Sequence, residues 1–107
     1  MEKIDEILSY FREKCSLVWQ GKSVIYIEDY LTQKQYNKSR NVVKTIELPK
    51  SNVLKFILDD HSWFCIRPSG TEPKIKFYFS VIGNSQEDAK AKSKGLIEEV
   101  MEAVDKI

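Results

Sequence analysis

The sequence predicts an α+β protein: an antiparallel sheet of four to five strands with two helices packed on one face. Three observations support this fold class. Apolar residues recur at helical spacing near both ends of the chain, β-rich runs separated by turn residues lie between them, and the order along the chain is helix, strands, helix. At 107 residues the chain is long enough for one domain, residues 1–107, around a single core.

The first helix is predicted over residues 2 to about 15. Acidic residues fill its first turn, where the helix dipole favours negative charge. Its buried stripe is predicted to consist of Ile4, Ile7, Leu8 and Phe11. The periodicity is then lost, and Gly21-Lys22 is predicted to form a turn.

Five strands are predicted after this helix, over residues 23–30, 41–48, 52–58, 62–66 and 75–82. The polar stretch 31–40 between the first two is predicted as a surface loop, and no binding role is predicted for Tyr30 or Tyr36. Pro49 ends the second strand because proline cannot donate to a ladder. Asp59-Asp60-His61 is predicted as a hairpin connection, and His61, the one histidine, as a solvated side chain.

The alternation of the last strand predicts which of its residues share a face. One face carries Ile75, Phe77, Phe79 and Val81, and the other carries Lys74, Lys76, Tyr78 and Ser80. The two lysines therefore lie on the same side of the strand, where both can approach one anion.

The second helix is predicted to begin after Ser85, which acts as the N-cap with Asp88 three residues later. Its buried stripe is predicted to consist of Ala89, Ser93, Leu96, Ile97, Val100, Met101 and Val104.

Composition excludes several classes of function. Seventeen basic and sixteen acidic residues leave a formal charge of +1, which gives no extended field for nucleic acid or an anionic membrane. Cys15 and Cys65 lack the spacing of a zinc or redox motif and are expected to be reduced, mostly buried thiols. No apolar run reaches membrane-spanning length, so we expect a cytoplasmic protein.

The stretch Arg67–Lys74 lies between two apolar strands and carries the chemistry of an anion site. It offers a guanidinium from Arg67, the hydroxyls of Ser69 and Thr71, and the amine of Lys74. Gly70 allows positive φ and close approach of the backbone to a ligand, and turns of this kind place backbone N–H groups around an anion. The same composition is also typical of ordinary turns.

Residues 67–78, Arg-Pro-Ser-Gly-Thr-Glu-Pro-Lys-Ile-Lys-Phe-Tyr, resemble the phosphate-binding loop of the α-D-phosphohexomutases, the phosphoglucomutase and phosphomannomutase enzymes. That loop belongs to their C-terminal, fourth domain. The upstream run 48–56 and Ser62-Trp63-Phe64 resemble the phosphoglucomutase branch. The resemblance is strong from Leu48 to Val81 and thin before Leu48.

The resemblance implies a fold and a role. The fold is a TATA-binding-protein-like α+β sandwich, with no implication for DNA. The parent enzymes interconvert hexose 1-phosphate and hexose 6-phosphate through a phosphoserine and a hexose 1,6-bisphosphate intermediate, supported by magnesium. The fourth domain holds the phosphate that is not reacting. Phosphate-binding roles carry over onto Arg67, Ser69, Gly70, Thr71, Lys74 and Lys76, whereas Glu72 and Pro73 shape the loop.

The sequence lacks the other signatures of the family. It has no Ser-His-Asn-Pro nucleophile loop, no Asp-Gly-Asp metal loop and no Gly-Glu-Glu-Ser-Gly sugar loop. We therefore expect no catalytic or metal-ligating residue in this chain, and expect it to act with preceding domains of the same enzyme on a phosphosugar. The alternative is a free-standing α+β interaction domain that binds protein or another anionic ligand.

Overall fold

The computed structural model describes residues 2–69 and 74–107, which form two helices and seven strands. Helix α1 spans Glu2–Glu13 and helix α2 spans Gln86–Asp105. The strands are β1 Val18–Trp19, β2 Lys22–Asp29, β3 Lys34–Asn37, β4 Val42–Thr45, β5 Leu54–Leu58, β6 Trp63–Pro68 and β7 Ile75–Ser80. All of these strands pair antiparallel, in the order β4-β3-β2-β5-β6-β7, with β1 on β2. The predicted α+β class is confirmed.

Both helices pack on the same face of this sheet. The inward residues of the central strands are buried by alternation, as in Leu54, Phe56 and Leu58 of β5. Phe11 of α1 is fully buried among them, with its ring centroid 6.1 Å from that of Phe56 and 6.2 Å from that of Phe64. Helix α2 adds Leu96, Val100 and Val104 to the same core.

The opposite face of the sheet is called the open face here. The alternation that buries Phe56 and Phe64 places their neighbours on this face, where Tyr26, Lys55, Trp63, Arg67, Lys76 and Tyr78 lie. The Lys55 ammonium lies 4.4 Å from the centroid of the Trp63 ring. The predicted two faces of the last strand are also confirmed, because Phe77 and Phe79 pack on the core while Lys76 and Tyr78 are exposed.

The prediction of four to five strands is wrong, since two of the seven strands were missed. The stretch 31–40, predicted as a loop, contains β3. The buried residue of this strand, Gln35, is polar. Its burial is compensated by a hydrogen bond from its Nε2 to Glu28 Oε2 (3.0 Å), so the strand lacks the apolar pattern that would predict it. Strand β1 pairs with β2 through a two-residue turn, Gln20-Gly21, whose φ values are +52° and +72°. The turn thus lies one residue before its predicted place.

Smaller differences concern element ends and one helix face. The second predicted strand is shorter than expected, ending at Thr45. Ile97, assigned to the buried stripe of α2, is 38% exposed. The buried residues of that helix are Leu96, Val100 and Val104, and Ile97 lies beside the stripe that they form. The predicted N-cap is confirmed: Ser85 Oγ accepts a hydrogen bond from the backbone N–H of Asp88 (3.1 Å).

Phe11 joins α1 to the sheet, and its removal tests this packing. We expect Phe11→Ala to lower the free energy of unfolding by about 3–5 kcal/mol, because a large aromatic cavity is left in the core. Phe11→Leu should cost less, since it retains much of the volume. Urea denaturation followed by circular dichroism measures both.

Ser9→Ala is the matched control, because Ser9 is exposed on the same helix. We expect it to change the free energy of unfolding by no more than about 0.5 kcal/mol. A loss of less than about 1 kcal/mol for Phe11→Ala would contradict the packing described above.

Candidate functional site

The hairpin of β6 and β7 places four of the six predicted site residues on one surface. Arg67 pairs with Lys76 and Pro68 with Ile75. Beyond the strands, the backbone N–H of Ser69 donates to the carbonyl of Lys74 (2.8 Å), which extends the pairing by one step. Since side chains alternate along a strand, Arg67, Ser69, Lys74 and Lys76 share the open face. These four residues are called the basic hairpin end.

The sequence of the hairpin accounts for its local geometry. The Ser69–Lys74 hydrogen bond fixes the alternation of the ladder, so that Pro68 occupies a position whose N–H would point away from β7. The pairing of β6 with β5 ends at Ile66, so Pro68 does not interrupt that ladder either. Proline therefore stiffens this end of the strand without the loss of a ladder hydrogen bond.

Gly70 and Thr71, the other two predicted site residues, lie outside the described residues, as do Glu72 and Pro73. Their predicted roles in close approach, hydrogen-bond donation and loop shape stay predictions.

Two positively charged residues of the basic hairpin end occupy paired positions on neighbouring strands. Arg67 and Lys76 stand directly opposite each other and are both exposed. Like charges at such a position destabilise a sheet, by a few tenths of a kcal/mol up to about 1 kcal/mol. Within the described ranges, neither side chain forms an ion pair with a carboxylate. A bound anion would offset this repulsion.

A hollow of about 430 Å³ lies next to the basic hairpin end on the open face. Five of its lining residues belong to the sheet or its margins: Tyr30, Val53, Cys65, Arg67 and Tyr78. The connection between β4 and β5 contributes residues from its segment 48–51. The hollow is therefore bounded on one side by Arg67 and elsewhere by aromatic, aliphatic and thiol groups.

Burial favours the neutral forms of two titratable side chains of the hollow, Tyr30 and Cys65. Burial, with a hydrogen bond from Tyr30 Oη to Glu28 Oε1 (2.9 Å), raises the pKa of Tyr30 to about 12. Burial also raises the pKa of the Cys65 thiol, against the opposing effect of Lys55 and Arg67. Glu28 itself accepts from both Tyr30 and Gln35, so its carboxylate is held by the sheet.

The sequence did not predict this hollow. Tyr30 was assigned no binding role. Tyr78 was placed on the same face of the last strand as Lys74 and Lys76, but it was given no function. The sequence does indicate that Tyr78 shares a face with Lys76, because side chains two residues apart on a strand point the same way. Segment 48–51 of the β4–β5 connection also lines the hollow, and no motif in the sequence predicts that position.

Other reactive groups of the described structure have structural explanations. The carboxylate of Asp29 is buried and accepts from Arg12 Nε at 2.9 Å, and Arg12 also donates to Asn52. Cys15 and Cys65 are free thiols, the first buried and the second half-buried. His61 is exposed in its turn with φ of +73°.

Residues 2–69 and 74–107 contain neither a cluster of metal ligands nor a membrane-spanning helix. No three histidine, cysteine, aspartate or glutamate residues in these ranges come together as metal ligands. No helix in them has the length and apolar character needed to cross a membrane.

Comparison with known proteins identifies similar sequences. Residues 27–106 match the family described as "Phosphoglucomutase/phosphomannomutase, C-terminal domain". The phosphoglucomutase of Staphylococcus aureus strain MSSA476 is 40% identical over 96 residues, which is 90% of this chain and 17% of the relative. That of strain MRSA252 is 44% identical over 80 residues, 75% of this chain and 14% of the relative.

The chain therefore spans less than a fifth of the length of these relatives. No solved structure matches it, so the likeness to the TATA-binding-protein fold stays a prediction.

The raised pKa of Tyr30 predicts a pH dependence. Its folded-state pKa of about 12 lies above the ordinary value of about 10, so the contribution of its hydroxyl to stability is fully present below about pH 10. That contribution is lost as the pH rises through 12. We expect the difference in unfolding free energy between the wild type and Tyr30→Phe to be constant near neutral pH and to shrink above about pH 10.

Urea denaturation at a series of pH values measures this difference. The same comparison in a Glu28→Gln background is the control, because it removes the negative charge that opposes the phenolate while the burial of the ring remains. The pH dependence should weaken there. An unchanged difference between the wild type and Tyr30→Phe up to pH 12 would argue against a raised pKa of Tyr30, and an equally strong pH dependence in the Glu28→Gln background would argue against the Tyr30–Glu28 hydrogen bond.

Proposed function

Since this chain belongs to the phosphoglucomutase/phosphomannomutase C-terminal domain family, we propose that its basic hairpin end binds the phosphate group of a hexose phosphate. The observation that carries the proposal is the pairing of Arg67 with Lys76 on an exposed surface. Two cations held together without a carboxylate among the described residues destabilise the sheet slightly and are favourable for a dianion.

The proposed roles follow from the chemistry of each group. The planar guanidinium of Arg67 presents two parallel donors to two phosphate oxygens, whereas the ammonium groups of Lys74 and Lys76 act as point charges. Ser69 and Thr71 donate through a hydroxyl or a backbone N–H. Gly70 allows the main chain to come close to the ligand, because it has no Cβ.

The position of Arg67, Ser69, Lys74 and Lys76 on a short antiparallel hairpin preorganises the backbone of these four residues. Arg67 and Lys76 are fixed relative to each other by the ladder, and Ser69 and Lys74 by the backbone hydrogen bond that closes it. The backbone of these four residues is therefore held before a ligand binds, whereas the exposed side chains of Arg67 and Lys76 still lose rotamer freedom on binding.

For the whole protein we propose the mutase reaction of the family, the interconversion of hexose 1-phosphate and hexose 6-phosphate. This chain would hold the phosphate that is not reacting, while nucleophile and metal loops of preceding domains act on the other one. Binding energy at the unreactive end positions the reacting end and helps to close the site against water. Magnesium would assist at the reacting end.

No step of this proposal for the 107-residue chain runs through a metal. The described residues bring no cluster of metal ligands together, so the chain does not fit a magnesium site in the part that the structure describes. Its own part is to bind and orient a phosphate through hydrogen bonds and charge. We expect the affinity of the chain alone to be on the order of millimolar or poorer.

Substitution of Arg67 tests the proposal. We expect inorganic phosphate to shift the amide resonances of residues 67–76 in a titration followed by ¹H–¹⁵N NMR. Arg67→Ala should remove most of this response, because the one bidentate donor of the site is lost. Its fold should be retained, since the side chain is exposed. Lys76→Ala should weaken binding less, by about two- to fivefold.

Lys44→Ala is the matched control, because Lys44 is an exposed lysine on β4, at the far edge of the sheet from β7. It should leave the phosphate response unchanged. Amide shifts confined to another face of the protein, or an Arg67→Ala variant that responds like the wild type, would overturn the proposed function.

A further inference from the structure

A second pocket, called the arginine pocket here, lies on the helix-covered face of the sheet beside the end of α1. Its volume is about 230 Å³, and its polar lining consists of Arg12, Asp29, Thr32, Tyr36 and Arg40. Three strand spacings, about 14 Å, separate its residue Asp29 from Phe77 of β7 in the same row of the sheet. The basic hairpin end lies on the other face, so the two places are distinct.

The charges of the arginine pocket do not cancel. The carboxylate of Asp29 accepts from Arg12 Nε (2.9 Å), from Arg12 Nη2 (3.3 Å) and from the backbone N–H of Leu31 (3.0 Å). Asp29 and Arg12 therefore neutralise each other. Arg40 is a second cation, and within residues 2–69 and 74–107 it forms no ion pair. One positive charge of the lining is left without a carboxylate in the described structure.

The main chain holds Arg40 in a conformation that is unfavourable for arginine. Its φ of +64° lies in the left-handed region, which glycine adopts more readily. The turn is fixed by Asn37, whose carbonyl accepts from the N–H of Arg40 (2.9 Å) and whose Oδ1 accepts from the N–H groups of Ser39 and Asn41 (3.0 Å each). An arginine at this position is therefore retained at a cost to the turn.

The guanidinium of Arg40 is also held at the pocket. Its Nη1 donates to the carbonyl of Arg12 (2.7 Å) in the last turn of α1. A guanidinium has five N–H groups, so this hydrogen bond leaves further donors for a ligand. The geometry places a cation at the pocket before any ligand binds.

The floor of the pocket restricts the kind of anion. Ile27 and Leu54, which belong to the core, form its apolar part, and the hydroxyls of Thr32 and Tyr36 lie 2.9 Å apart at its side. A phosphate would turn charged oxygen atoms toward the apolar floor. An aliphatic carboxylate carries its charge at one end and methylene groups at the other, so it matches both parts. The volume is below that of sites for drug-sized ligands, which suits a short chain.

We propose that the arginine pocket binds a short aliphatic carboxylate, with its charged end on Arg40 and its methylene groups on Ile27 and Leu54. The hydroxyl of Tyr36 is the neutral polar group beside the carboxylate. A free organic acid and the side chain of a glutamate in another protein segment share this chemistry. The inference goes beyond the proposed function and does not rest on it, because the pocket shares no residue with the basic hairpin end.

Titrations of the 107-residue chain with butyrate, butyramide and inorganic phosphate, followed by ¹H–¹⁵N NMR, test the inference. Butyrate should give saturable shifts of the amides of Ile27, Thr32, Tyr36 and Arg40, with a dissociation constant on the order of 10 mM. Butyramide has the same shape without the charge, so it should bind at least about fivefold more weakly. Inorganic phosphate should leave these four amides unshifted.

Arg40→Gly removes the guanidinium and at the same time suits the positive φ of the turn, so the fold should be retained. Circular dichroism checks the fold. Butyrate should bind this variant at least about fivefold more weakly than the wild type. Lys38→Ala is the matched control, because Lys38 is an exposed cation of the same turn that does not line the pocket. Its affinity for butyrate should stay within about twofold of the wild type.

N-acetyl-glutamate N-methylamide separates the two sources of the carboxylate. Binding of this capped residue as tightly as butyrate supports a glutamate side chain, whereas binding of butyrate alone supports a free acid. Either result supports the carboxylate site.

Four results would overturn the inference: no saturable shift of the four amides with butyrate, equal affinities for butyrate and butyramide, tighter binding of phosphate than of butyrate at these amides, or an Arg40→Gly variant that responds like the wild type. The phosphate response of residues 67–76 is read from other amides. Failure of this inference and failure of the proposed function are therefore distinguishable.

Discussion

The register between β6 and β7 is the constraint on which the rest of the structure depends. It places Phe64 opposite Phe79 and Ile66 opposite Phe77 on the helix-covered face. The same register places Arg67 opposite Lys76 on the open face. A slip of one residue would turn the aromatic side chains of one strand toward water and its charged residue toward the core. Apolar burial on one face therefore holds two cations together on the other, although they repel each other.

Much of this arrangement can be predicted from the sequence, because it depends on period-two alternation. Lys74 and Lys76 were assigned to one face from parity alone, and the pairing of the strands agrees with that assignment. Both helices follow from a different apolar periodicity, of about 3.6 residues, and the order of the elements gives the fold class. Strand β3 does not, since the burial of Gln35 depends on a hydrogen bond to Glu28, a residue of another strand. A polar stretch carries no local sign of such a partner.

The same reason explains what is missing from the predicted site. The buried carboxylate of Asp29, for example, has its ion-pair partner, Arg12, on α1 rather than on its own strand. The hollow depends likewise on the β4–β5 connection, which lies beside residues of β6 and β7. Sequence patterns report which face a side chain occupies, whereas the neighbours that enclose that face come from other segments. The shared face of Arg67, Lys74 and Lys76 was therefore predictable, and the neutral lining of the hollow was not.

The exposure of the basic hairpin end has an energetic consequence for the proposed role. In water the attraction between an exposed cation and a phosphate is screened, so Arg67 and Lys76 by themselves would hold a phosphate only weakly. If a second domain covers the ligand, the effective dielectric constant falls and each charge–phosphate contact becomes stronger. The cost of holding two like charges together is small in the open state, because solvent screens the repulsion as well. An exposed pair of cations on a fixed backbone would thus suit the proposed role, in which phosphate is held firmly only when the whole site closes.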